Sequence, residues 1–592
     1  MRHLPKGPHG SHARTLDCVL SRPSSHQIEP ETMYIYRPML SMHFELSSRR
    51  LHGAALVPPT LLVALLVSTS GCMTGPDAQQ LKTADAGDAI PATFKPPELS
   101  NAEIAADPTA ATAARLEEPL NLDQWWSRFH DDALDALIAR ADSSNATLAQ
   151  ALSSVRISQA SLGVTESELW PDIYAGAGYQ RVQQNLSQLN IPGVSADPYN
   201  EYSYGLSMPS WELDIWGRIE RLVESSTADL HATIDDLRMA ITSIRAQTAT
   251  AYIEVRTLQA RIAALDGNIT NLTQTLKLAT QKFEAGTVTQ LDVNQAQTNL
   301  DMESAKIPSL RSSIADAIGQ LAELCGSNTS EITVILGAAR PIPIGPDAIA
   351  VGIPASLLER RGDLRAAAER YHAAVAQIGA TEALNYPTLS LAGNFSISST
   401  DISGLGNISN KSYGFGPSLS LPLFTGWQIS SQILMAKAGA EYAFNSWRGT
   451  LIRAVSEVDT SIAALAFARD TDGRYLKAVA SASDTYRLAK SQYDAGTTAL
   501  ENLLSIQNQL LDAQDSEAQA RGLVASSIVQ LYRVLGGGWE DLVPAGTNDE
   551  NSTAKAAIQE ADSAVEKSPA RLAAESPLVK TAAKSTESGS NK

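Results

Sequence analysis

Gln281-Lys282-Phe283-Glu284-Ala285-Gly286-Thr287 returns 210 residues later as Ser491-Gln492-Tyr493-Asp494-Ala495-Gly496-Thr497. Each copy closes a long stretch without proline, and each stretch follows two short runs of alternating residues. A chain that spells strands and then a long helix twice is built from two structural repeats. Such a chain predicts a mixed, mostly α, pseudo-symmetric protein, most simply a membrane barrel continued by a helical barrel. That architecture implies a conduit rather than an enzyme.

The helices carry the stronger signal. From Arg218 to Ala285 there is no proline and one glycine, Gly267. At about 1.5 Å per residue, one continuous helix over this stretch would reach roughly 100 Å. Its apolar seam runs Leu230, Ile234, Leu237, Ile241, Ile244 and Thr248, and on through Leu272, Leu276, Ala279 and Phe283. The spacing alternates four and three, which predicts left-handed coiled-coil packing. The counterpart, Trp427 to Ala495, also lacks proline, but its seam is patchier and breaks near Arg469-Asp470-Thr471-Asp472-Gly473. After each Ala-Gly-Thr the helical pattern resumes, over 288–325 and 498–535, with Pro308 as a local kink. Shorter helices are expected to stack in pairs, 288–325 with 356–385, to match one long helix. Residues 326–355 then form an equatorial segment outside them. Gly286 with Thr287, and Gly496 with Thr497, mark the tips farthest from the strands.

The first repeat spans 121–325, with a helix over 145–169, strands at 171–182 and 202–214, and the long helix 218–285. The second spans 356–540, with strands at 387–398 and 412–424 and the long helix 427–495. In its first strand Leu389, Leu391, Gly393, Phe395 and Ile397 share one face, opposite Thr388, Ser390, Ala392, Asn394 and Ser396. Strands of about ten residues, apolar on one face and small and polar on the other, are the signature of an outer-membrane β-barrel. A half-buried sheet in a soluble domain shares the pattern. Four strands cannot close around a lumen, so a barrel must be shared by several chains.

The ends read differently. Arg49 and Arg50 precede an apolar run, Leu51 to Val67, that stops at Ser70-Gly71-Cys72. This is a secretory signal over 42–71, too short to span a membrane. Met42 is the expected start, with 1–41 a non-native upstream extension. Cys72 is the expected lipidation site, although Thr69 departs from the usual signal; an ordinary cleaved signal with an incidental cysteine is the alternative. Residues 72–120, rich in Ala, Pro and Asp, read as a lipid-anchored tether, and 541–592 as a disordered tail. With Cys18 and Cys72 set aside, Cys325 has no disulfide partner. The net charge of −18 argues against nucleic acid.

Several motifs, in order over about 120–540, resemble the outer membrane factor family, the TolC-like and NodT-like efflux channels. Trp211-Glu212-Leu213-Asp214-Ile215-Trp216-Gly217-Arg218 is similar to its strand-to-helix motif. Leu357 to Arg365 is similar to its second-half helix start, with Gly362 where the family usually has Pro; Asp363 could still cap. Phe283-Glu284-Ala285-Gly286 with Leu291-Asp292-Val293, and Tyr493-Asp494-Ala495-Gly496, match the tip turns, and Leu531 to Trp539 matches the closing motif. The resemblance implies a homotrimer with a twelve-stranded transmembrane β-barrel continued by a periplasmic α-helical barrel. It implies localisation to the outer membrane and, as partners, the lipid bilayer, a periplasmic adaptor (membrane fusion protein) and an inner-membrane RND transporter. No cofactor is implied.

The resemblance also places a gate at the tips. It makes Tyr493 and Asp292 a candidate hydrogen-bonded latch, the alternative being that Asp292 caps its helix and Tyr493 packs. A basic latch residue of some members corresponds to Thr498, and two acidic constriction positions to Asn502 and Ser505, with Glu501 adjacent. No catalytic motif, Walker loop or metal cluster appears, and His130, His231 and His372 stand alone in the sequence. Small-molecule efflux is the expected function. A type I protein-secretion exit duct and a lipid-anchored coiled-coil periplasmic scaffold are the alternatives.

Overall fold

A computed structural model describes residues 73–82, 85, 122–183, 198–346, 349 and 356–542. The signal, Cys72, most of the proposed tether and all but the first two residues of the tail, 541 and 542, lie outside them. The chain divides into two units, of which the first, Met1–Ser68, lies wholly outside the described residues. The second contains everything that follows.

Four strands, β1 Tyr174–Val182, β2 Tyr199–Leu213, β3 Thr388–Ser399 and β4 Lys411–Ser420, form one antiparallel sheet in chain order. The hairpins of the two repeats meet at β2 and β3. Ala175, Leu206, Phe395 and Tyr413 lie side by side, as do Leu213, Leu389 and Leu419. Between these two rows run Trp211, Leu391 and Pro417. Directly opposed residues share a face, so this face is an apolar band. The other carries Gly176, Gly205, Ser396 and Ser412 in one row and Glu212, Ser390 and Ser418 in another. Strand ends follow the prolines. Ladder pairing in β2 shifts between Met208 and Trp211, around Pro209, and β4 stops at Ser420 rather than 424, short of Pro422.

The first repeat carries helices α1 Asp132–Ser144, α2 Ala146–Ser167, α3 Arg218–Glu284, α4 Gln290–Ser304 and α5 Lys306–Leu324, then α6 Thr329–Leu336. The second carries α7 Leu357–Arg360, α8 Gly362–Ala383, α9 Gln428–Asp494 and α10 Leu500–Val534. Both long helices are 67 residues and uninterrupted. The patchy stretch at 469–473 does not break α9: Arg474 pairs with Asp470 one turn back, and Arg469 donates to the Pro346 carbonyl. Pro308 breaks the first return helix at Ala305, because its ring meets the carbonyl four residues back.

The stacking is within each repeat, not across repeats as the lengths suggested. The Asn145 side chain accepts from Leu148 N–H to cap α2 and donates to the last carbonyl of α5, Leu324, at 2.7 Å. A Cβ on Gly326 would lie 2.1 Å from the Ser144 carbonyl oxygen, so α5 and α2 abut end to end. In the second repeat Arg361 donates to the Val534 carbonyl, so the end of α10 abuts the start of α8. The predicted helix 356–385 is accordingly interrupted. Arg361 is extended, and its buried guanidinium is held by Asp363 and Glu457. Asp363 grips Arg361 and also accepts from the Leu364 N–H, so it serves the first turn of α8 from inside the helix rather than from the N-cap position. Gly362 is explained by space: a Cβ there would lie 2.4 Å from the Asp235 carbonyl oxygen.

Charged groups cross-link this junction. Arg245, fully buried, donates to both oxygens of Asp142, to Asp541 and to the Gly538 carbonyl, beneath Trp126. Arg256 binds the carbonyls of Leu336 and Ala338, and Tyr252 links it to Asp131. The described start of the proposed tether, residues 73–82, forms an arm seated on the helices. Thr74 donates to the carbonyls of Trp216 and Gly379, and buried Arg221 binds the Thr74 carbonyl and Asp77.

Candidate gate at the helical tips

The two tip turns are the same object built twice. In the first, Gly286 N–H donates to the Phe283 carbonyl and Thr287 N–H to the Lys282 carbonyl. In the second, Gly496 donates to Tyr493 and Thr497 to Gln492. This pair of bonds is the Schellman arrangement, which needs a left-handed residue just past the helix. Gly286 at φ 76° and Gly496 at φ 75° supply it. The Thr287 and Thr497 hydroxyls add a second bond to the same Lys282 and Gln492 carbonyls. The threonine of Ala-Gly-Thr thus has a local reason.

Beneath the turns lies a small core separate from the main one. It joins Leu272 and Ala279 of α3, Ala296 of α4, Ala489 and Tyr493 of α9, and Leu500, Leu503 and Leu504 of α10. Equivalent positions in the two repeats diverge here. Tyr493 is 2% exposed, whereas its counterpart Phe283 is 40% exposed. Deeper in the bundle a polar layer crosses the seam. Buried Gln507 donates to Asn268 at 3.0 Å, and Asn508 to Asn299 at 3.2 Å.

The candidate gate residues do not all meet. Asp292 sits in the first turn of α4, where one carboxylate oxygen accepts from the Thr289 N–H at 2.8 Å and the Thr289 hydroxyl at 2.7 Å. Those bonds hold its carboxyl below the usual range. The Tyr493 hydroxyl is buried and has no hydrogen-bond partner among the described residues. Burial, with Asp292 and Asp494 nearby, raises its pKa. The direct hydrogen bond of the expected latch is not made within the chain: the Tyr493 hydroxyl has no partner among the described residues, and Thr289 engages one of the two Asp292 carboxylate oxygens. Asn502 donates to the Thr498 hydroxyl at 3.1 Å, and Glu501, Asn502 and Ser505 are exposed at the start of α10. Cys72 lies outside the described residues.

What the sequence did not single out is Lys282. Its ammonium donates to the Tyr493 carbonyl and lies 4.0 Å from the centre of the Tyr493 ring. A second lysine, Lys490, stands about one turn before Tyr493 in α9 and reaches Gln274 of α3 at 3.3 Å. The histidines are also not all alone: His372 bonds Glu224 at 2.8 Å, and both His231 and His372 approach Glu369.

The sequence profile of the outer membrane efflux protein family matches residues 137–327 and 353–537, which takes in both repeats and both tips. The chain belongs to that family. It is 30% identical to outer membrane protein OprJ of Pseudomonas aeruginosa over 457 residues, 74% of this chain and 91% of that one. It is 29% identical to nodulation protein T of Rhizobium leguminosarum bv. viciae, over 82% of this chain and 93% of that one. The solved structure of the outer-membrane channel OprN superposes with a TM-score of 0.69 at 29% identity, covering 79% of this chain and all of that one. The protein is thus an outer membrane efflux channel, trimeric, with its helical body in the periplasm, and it works with an adaptor and an inner-membrane RND pump.

Proposed function

We propose that this channel is a passive exit duct for small molecules, that it performs no chemistry on them, and that the helical tips are its gate. The observation that carries the reading is the pairing of two features on one chain. One is an apolar-faced, four-stranded sheet; the other is a pair of 67-residue helices whose far ends share a small, separate core. Relatives from Pseudomonas putida named for antibiotic and toluene efflux support a small, largely apolar substrate class. Cys72 carries the lipid anchor in this reading.

At the gate, Thr498, Asn502 and Ser505 line the approach where relatives carry charge, and adjacent Glu501 is an acidic group that can favour cations. The test is accumulation of a fluorescent apolar dye in cells lacking their own channel, with and without this protein and a working pump. Lower accumulation with the protein supports export; unchanged accumulation with every candidate pump contradicts it. Reversal potentials under a salt gradient test the lining. Glu501→Gln is expected to lower cation preference, and an unchanged potential removes Glu501 from the lumen.

A further inference from the structure

We propose that Lys282 is the positioning residue that holds the two tip turns of a protomer together, where the family resemblance implied a hydrogen-bonded latch between Tyr493 and Asp292. The proposal rests on the channel reading above. Lys282 is the third residue from the end of α3, and Tyr493 occupies the equivalent region of α9. The last carbonyls of a helix have no intrahelical partner and carry its negative dipole end, so a cation there is favoured. The Tyr493 carbonyl already accepts from Gly496 within its own turn. Lys282 adds a charge-assisted bond from the other repeat to that same oxygen.

The ammonium also sits over the Tyr493 ring at cation–π distance. One side chain thus engages both the backbone and the ring of the residue whose burial anchors the tip core. The Tyr493 hydroxyl takes no part, because it is unpartnered among the described residues. Asp292 is engaged by Thr289 instead. Lys490 makes the parallel reach from α9 to Gln274, so α3 and α9 are tied at two levels.

A hydroxyl latch and a lysine clamp make opposite predictions for one pair of variants. Under the clamp, Tyr493→Phe keeps the ring and the carbonyl and leaves the tip closed, whereas Lys282→Met removes both contacts. Purified trimers of the wild type, Tyr493→Phe, Lys282→Met and Lys282→Arg are compared for open probability in planar bilayers and for hydrogen exchange of the amides over 489–497. Lys282→Met is expected to raise both by roughly tenfold, the scale of losing one charge-assisted contact. Lys282→Arg restores wild-type values and Tyr493→Phe matches them. An unchanged Lys282→Met trimer, or a Tyr493→Phe trimer that loosens as much, overturns the proposal. If Lys282→Met does not assemble, Lys282→Gln is measured against the same criteria. Hydrogen exchange decides the clamp even in a trimer that never conducts, an outcome that counts against the channel reading alone.

Discussion

Gly286 and Gly496 occupy left-handed backbone at the tips, and the space around each is open: a Cβ at either position would meet nothing within 4 Å. The requirement is therefore conformational, not steric. Gly496→Ala is expected to cost about 1–2 kcal/mol through left-handed strain alone, measured by denaturant unfolding of the trimer; Gly496→Asn should cost less. Asp292 belongs to the same scale. Its carboxyl is held below the ordinary range by Thr289, so its folded pKa is lower than its unfolded one. The stabilisation is present above the unfolded value and is lost as pH falls through the lower folded value. The stability difference between wild type and Asp292→Asn is expected to be constant near neutrality, to begin to shrink near the unfolded carboxylate value of about 3.9, and to vanish only below the depressed folded value. The tip glycines were legible because a positive φ leaves a residue signature. Lys282 was not, because its partner is a backbone carbonyl 211 residues away, and a carbonyl has no residue identity to read.

Among elements, α3 is the spine, and its buried arginines hold the shorter helices to it. Arg245 alone joins α3 to Asp142 at the end of α1 and to Asp541 beyond α10. Arg245→Met is expected to destabilise the fold by about 2–3 kcal/mol, because it removes a fully buried cation from partly buried Asp142 and the more exposed Asp541, short of the cost of breaking a wholly buried pair. Burial holds the Asp142 carboxyl above its ordinary range even beside Arg245. The penalty should therefore shrink as pH falls and Asp142 takes up a proton, and adding Asp142→Asn to the Arg245→Met chain should recover part of it at neutral pH; thermal unfolding from pH 4 to 8 checks both. The four-and-three spacing made α3 and its seam readable, since a heptad is local. The end-to-end stacking was not: similar helix lengths permit 288–325 to meet either 146–167 or 362–383. The choice is made by the Asn145–Leu324 bond and the Gly326–Ser144 approach, contacts between residues far apart in the chain.

Over the whole chain, the sheet ends in two edge strands, β1 and β4, whose outer ladders have no partner among the described residues. Exposed edges invite pairing with another copy, and a twelve-stranded barrel from three chains satisfies them. The arm is part of this scale. A Cβ on Gly75 would lie 2.3 Å from the Gly379 Cα, so Gly75→Val is expected to unseat the arm and expose residues 73–82 to limited proteolysis; a wild-type digestion pattern would show that the arm is held otherwise. The central claim is that three chains make one conducting tunnel. Single-channel recording in planar bilayers, with the mass of the same detergent-purified sample, tests it most directly. Discrete conductance steps from a trimer are predicted, with openings made more frequent by Lys282→Met. A monomer, or a trimer that stays silent at every voltage and with every tip variant, would contradict it.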